Sequence, residues 1–134
     1  MNKIEELKVR GVVPTIQRVA VWDFLKEKRG HPTAKEIYES LRKRYPTFSK
    51  ATVYNALEVL KEAGIIQELV VENGRAHYDY DPKPHHHFYC TRCKRIYNVE
   101  IECEVAKRGE IEGHKIESVQ ACFYGICASC RRDA

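Results

Sequence analysis

Between Thr33 and Arg44, apolar side chains fall at Ala34, Ile37, Tyr38 and Leu41, the i, i+3, i+4, i+7 spacing of one helix face, with charges opposite. Thr33 and Glu36 stand in the spacing of a capping box, so a helix is expected to start there. Helices are expected on both sides of it. Ile16–Lys28 is largely apolar, contains Trp22, has Thr15 as its N-cap and ends at Gly30-His31-Pro32. Residues 50–63 follow the break at Tyr45-Pro46, with Ser49 as N-cap, Val53, Leu57 and Leu60 facing inward, and Gly64 closing the helix. A shorter helix over 4–10 is stopped by Gly11.

After Gly64 the apolar period shortens to that of strands. Residues 65–71 and 75–80 read as two strands joined across Glu72-Asn73-Gly74, and Asn-Gly is a strong hairpin signal. Three or four helices followed by one hairpin is the order of a winged helix, in which the second helix of the helix-turn-helix enters the DNA major groove. Asp81-Pro82-Lys83-Pro84 then supplies two fixed φ angles and reads as a semi-rigid spacer. Beyond it, 88–90 and Ile96–Val99 read as strands, 100–112 as a helix and 114–124 as a strand. The expected architecture is α+β: a winged-helix domain over 1–81, a hinge over 82–84 and a small α/β domain over 85–134.

Composition narrows this picture. The chain is 43% hydrophobic and 31% charged, without low-complexity segments, which argues against disorder. Its first residues lack the apolar stretch of a signal peptide, and no apolar run approaches the roughly 18 residues of a membrane span, so a cytoplasmic protein without membrane partners is expected. The net charge of +4 and pI near 8.7 permit nucleic-acid binding without arguing for it, so that case rests on motifs.

The densest chemistry is His85-His86-His87-Phe88-Tyr89-Cys90-Thr91-Arg92-Cys93. A second Cys-x-x-Cys, Cys127 to Cys130, follows with 33 residues between the two pairs. In a reducing compartment, two such pairs suit a closed tetrahedral zinc site, because each turn lets both sulfurs reach one ion. Redox pairs, iron–sulfur ligation and haem attachment are the alternatives, and haem would need histidine where Lys94 and Arg131 stand. On a strand, His85 and His87 share one face and His86 the other. His31 and Asp79 are the obvious polar partners for that pair, whereas His77 and His114 read as surface residues. Cys103 and Cys122 read as buried small apolar residues. A zinc hydrolase would need an open metal position and a placed base, and no H-E-x-x-H or equivalent is present, so an enzyme is not expected. A zinc-stabilised protein-interaction module remains the rival of another class.

For DNA, Asn55 can pair with adenine and Thr52 and Tyr54 can reach phosphate or a thymine methyl, while Arg18, Lys50 and Arg75 can supply phosphate contacts. A·T-rich sites are expected.

Pro14-Thr15-Ile16-Gln17-Arg18, His31-Pro32-Thr33-Ala34, the segment from Ser49 through Leu57, His85-His86-His87 with Cys90 and Cys93, and Tyr124-Gly125-Ile126-Cys127 with Cys130 occur in the order of the Fur family of metal-dependent repressors, which the chain resembles along almost its whole length. The resemblance implies a homodimeric repressor of metal-homeostasis or peroxide-stress genes. Such a repressor binds a near-palindromic operator when a divalent metal, Fe²⁺, Mn²⁺ or Zn²⁺, fills a regulatory site. It also implies structural zinc on Cys90, Cys93, Cys127 and Cys130, and a regulatory site on His31, Asp79, His85 and His87. Asp79 resembles the peroxide-responsive PerR branch rather than the iron-uptake branch; iron-uptake and zinc-uptake regulators are the alternatives. Asn98 stands where those branches carry an acidic ligand, and Glu100, two residues on, is the candidate substitute. Pro84 and His86 depart from the family's further metal site, which is not carried over.

Overall fold

The computed structural model describes the chain except for Met1, Arg29, 71–73, Pro84 and Ala134. Part of the expected hairpin turn, Glu72-Asn73, and Pro84 of the expected hinge therefore lie outside the described residues. The chain divides into two compact units, Met1–Pro82 and Lys83–Ala134.

Among its described residues, the first unit has four helices and a hairpin. α1 (Lys3–Val9) starts at Asn2, whose side chain accepts the Glu5 N–H at 2.9 Å. α2 (Ile16–Lys28) starts after Thr15, whose hydroxyl accepts the Arg18 N–H at 3.2 Å. α3 (Ala34–Arg44) has the expected cap: Thr33 Oγ1 accepts the Glu36 N–H and donates to the Glu36 carboxylate, each at 3.2 Å. α4 (Lys50–Glu62) is capped by Ser49, and Gly64 follows it with φ 73°, a left-handed conformation suited to glycine. The hairpin pairs β1 (Gln67–Val70) with β2 (Ala76–Asp79), each shorter than the apolar runs that announced it.

Helical spacing places Val53, Ala56, Leu57 and Leu60 on one buried face of α4, against α2 and α3. Leu7, Val21, Trp22, Leu25, Ile37 and Tyr78 belong to the same core. Lys61 near the end of α4 bonds Glu58 at 3.0 Å and Glu68 of β1 at 2.9 Å, tying helix to hairpin. Those two carboxylates, Glu68 first, hold its ammonium above the usual lysine range.

The second unit is built on β3 (His86–Cys90), flanked by β4 (Ile96–Val99), antiparallel, and β7 (Cys122–Gly125), parallel. The expected helix over 100–112 is only α5 (Glu104–Arg108). Gly109 turns left-handed at φ 73° and ends it, and β5 (Glu110–Ile111) and β6 (His114–Lys115) form a small hairpin. Glu112 and Gly113, both at positive φ, make its turn, as a two-residue hairpin loop requires. The expected strand over 114–124 is thus two short strands, and α6 (Ala128–Arg132) follows where no element was expected. Cys103 and Cys122 are half-buried rather than buried.

Among the described residues of this unit only His87, Tyr89, Cys90 and Cys127 are buried, too small a core to hold about fifty residues unaided. No helix among the described residues is long and apolar enough to cross a membrane.

Leu57 is fully buried at the centre of the helical core. Leu57→Ala is expected to destabilise the first unit by about 2–5 kcal/mol, read as a lower urea midpoint by helical circular dichroism, with bound zinc unchanged.

Candidate metal centres

Parallel pairing of β3 with β7 aligns Cys90 with Gly125, and the Thr91 N–H bonds the Gly125 carbonyl at 2.8 Å. Both chains leave the sheet at the same end, so each Cys-x-x-Cys begins there. The first turns back through Lys94, at φ 67°, whose N–H reaches the Cys90 carbonyl at 2.9 Å. The second opens α6. Where β7 passes β3 the fit is close: a Cβ at Gly125 would lie 3.2 Å from the Phe88 ring, which would have to shift by a few tenths of an ångström.

The four sulfurs lie within 4.8 Å of one another. Cys90 Sγ is 3.8 Å from Cys130 Sγ, and Cys93 Sγ is 3.9 Å from Cys127 Sγ. A zinc tetrahedron with Zn–S near 2.3 Å has sulfur–sulfur edges of about 3.8 Å, so the donor set fits the ion. Backbone amides prepare the thiolates: the Cys93 and Cys127 N–H groups donate to Cys90 Sγ, and the Cys130 N–H donates to Cys127 Sγ, each at 3.4 Å. Burial pushes the Cys90 thiol up, and these amides, with that of Arg92, outweigh it and bring it down to about 6. The Tyr97 hydroxyl bonds Cys127 and, with the Cys130 amide, holds that thiol low, while Cys130, beside the Cys127 sulfur and partly buried, is pushed up to about 12. Tyr97 was not foreseen, although its place on the strand after the first knuckle was a usable signal.

The histidine and aspartate donors come as two pairs. In the first unit, His31 Nε2 donates to Asp79 Oδ2 at 3.2 Å, and Asp79 Oδ1 accepts the Asp81 N–H at 3.0 Å, which orients the carboxylate. In the second unit, the His85 and His87 rings lie 4.5 Å apart, and His85 Nδ1 donates to the Lys83 carbonyl at 2.7 Å. His86 turns away, its Nδ1 accepting the Ala121 N–H at 3.0 Å. Asn98 is the cross-strand partner of His87, so a neutral amide stands beside this pair. Glu100 is exposed beyond the end of β4 and, among the described residues, joins no group of metal-donor side chains. A strand that ends at Val99 does not carry its alternation on to residue 100.

His77 is a correction. It is 6% exposed rather than a surface residue, and its Nδ1 donates to the His31 carbonyl at 2.7 Å. The period of two that puts His85 with His87 also puts His77 with Asp79.

On α4, Lys50, Tyr54 and Asn55 are exposed while their neighbours Val53 and Ala56 are buried. Thr52 is half-buried, its hydroxyl 2.9 Å from that of Ser49. Arg75 is exposed beside β2, and the Arg18 guanidinium donates to the Val13 carbonyl at 3.0 Å.

A winged helix joined to a four-cysteine α/β unit, with separate imidazole and carboxylate donors, defines a class of metal-responsive transcription regulators. The ferric uptake regulator family matches residues 9–124, and the chain belongs to that family; it is not an enzyme. It is 33% identical over 135 residues to the peroxide operon regulator of Bacillus subtilis, covering 96% of this chain and 91% of that protein. The solved peroxide stress regulator of Campylobacter jejuni superposes with a TM-score of 0.71 at 31% identity, over 97% of this chain and all of that one. The ferric uptake regulator of Vibrio cholerae shares the fold, with a TM-score of 0.80 at 23% identity, over 94% of this chain and all of that one.

Cys127→Ser is expected to leave the purified protein with little zinc by elemental analysis. Amide protection of Tyr89 should be lost in the second unit, while protection of Leu57 in the first persists; retention of stoichiometric zinc would refute the four-sulfur assignment.

Proposed function

We propose that this chain is a cytoplasmic, homodimeric repressor that binds a near-palindromic, A·T-rich DNA operator when a divalent metal fills its regulatory site. The observation that carries the reading is the division of α4: Val53, Ala56, Leu57 and Leu60 are buried, and Lys50, Tyr54 and Asn55 are exposed. A helix held so firmly on one side presents a preorganised polar face of the kind that reads base edges, with Arg75 beside the hairpin and Arg18 available for phosphate.

Zinc on Cys90, Cys93, Cys127 and Cys130 organises the second unit. Its exposed Phe123, Tyr124 and Ile126 support a role in pairing two copies. His31, Asp79, His85 and His87 together hold the regulatory ion, which is Fe²⁺, Mn²⁺ or Zn²⁺. Three imidazoles and one carboxylate suit zinc, and added oxygen donors suit iron or manganese. The ion acts as a ligand with higher affinity for the DNA-competent state, so metal and operator strengthen each other's binding.

The decisive measurement is fluorescence anisotropy of a labelled A·T-rich duplex titrated with each of the three metals. The wild type is expected to gain at least about tenfold in affinity, within the usual range of allosteric coupling, and the His85→Ala, His87→Ala double variant to lose that gain. Unchanged metal dependence in the double variant would overturn the regulatory assignment.

Asp79 and the likeness to peroxide regulators favour a second, finer reading, in which iron at this site makes the protein peroxide-responsive. Peptide mass spectrometry of the iron-loaded protein after hydrogen peroxide treatment should then find an added oxygen atom on His31 or His85. Its absence would remove the peroxide role and leave metal-dependent repression standing.

A further inference from the structure

β2 carries one of the proposed regulatory donors, Asp79, and a buried histidine two residues before it. The strand's period of two puts both on the same face. Along the edge of β2 away from β1 runs the segment that carries His31. There the Tyr78 N–H bonds the Pro32 carbonyl at 2.9 Å, and Thr33 pairs with His77 as an antiparallel bridge.

His31 is therefore held at both ends by neighbours on one strand face. Its imidazole Nε2 meets Asp79 at 3.2 Å, and its backbone carbonyl receives the His77 Nδ1–H at 2.7 Å. A carbonyl can only accept, so this bond selects the His77 tautomer with the proton on Nδ1. The His77 side chain adds to the backbone contacts at Pro32 and Thr33 a hold on His31 itself, in the connection between α2, which ends at Lys28, and the Thr33 cap of α3. A metal ligand on an unanchored connection would lose affinity to the disorder of its own backbone.

We infer that His77 is the positioning residue of the regulatory metal centre, fixing the backbone of His31 so that its imidazole stands ready beside Asp79. The inference rests on the assignment of His31 and Asp79 as metal ligands. It adds a residue that donates no atom to the ion and acts through His31.

The test is Co²⁺ titration of the full-length, zinc-loaded protein, followed by visible ligand-field absorption. Four proteins are compared: wild type, His77→Asn, His77→Gln and His31→Ala. Asparagine places its amide nitrogen as many bonds from the backbone as Nδ1, whereas glutamine matches Nε2 instead. The Asn variant is expected to bind Co²⁺ within about threefold of wild type with the same spectrum, and the Gln variant about 10–100-fold more weakly with an altered spectrum, as for other residues that orient a ligand. Equal binding by the Asn and Gln variants, whether tight or weak, would overturn the role of His77. Wild-type binding by His31→Ala would instead overturn the ligand assignment beneath it. Should the Gln variant fail to melt cooperatively, His77→Ser, whose hydroxyl is too short to reach the carbonyl, takes its place with the same expected loss.

Discussion

The second unit depends on one pairing, the parallel alignment of β3 with β7. Without it the two cysteine pairs have no common end of a sheet at which to meet. With it, Cys90 and Cys127 leave adjacent strands together, and their knuckles point amide N–H groups at the sulfurs they will share. Each of these elements is weak alone. β3 and β7 have five and four residues, α6 has five, and four side chains are buried among the described residues. The four-sulfur cluster supplies the cohesion that an apolar core provides in the first unit.

The first unit works by different physics. Its helices are defined by caps and buried faces, and the hairpin is joined to them through Lys61 and through the His31 segment, which pairs with the free edge of β2. That segment is in effect a third, very short strand. It covers an edge that would otherwise be open and carries a polar side chain to a fixed place beside Asp79.

Much of this could be read in the residues. Thr15, Thr33 and Ser49 announced their helices because capping is local chemistry, and the apolar stripe of 34–41 told which face would be buried. The cysteine spacing named its ion because C-x-x-C geometry is also local. What escaped was nonlocal or came from turns. The helix expected over 100–112 failed because Gly109 and the Glu112-Gly113 pair outweigh a run of good helix formers. Tyr97 and His77 escaped because their partners, Cys127 and the His31 carbonyl, lie 30 and 46 residues away in the chain. Glu100, named for its place two residues after Asn98, lies exposed past the end of β4.

The same parallel pairing also sets a schedule. Cys127 and Cys130 are made 37 and 40 residues after Cys90 has begun the site. The contacts of the first unit close within its own 82 residues. During synthesis the helical unit can fold as it emerges, whereas the zinc centre waits for Cys130 to leave the ribosome. A nascent chain therefore finishes α4 and the core it packs against before it owns the second unit, and the four-sulfur site is complete only once Cys130 has emerged.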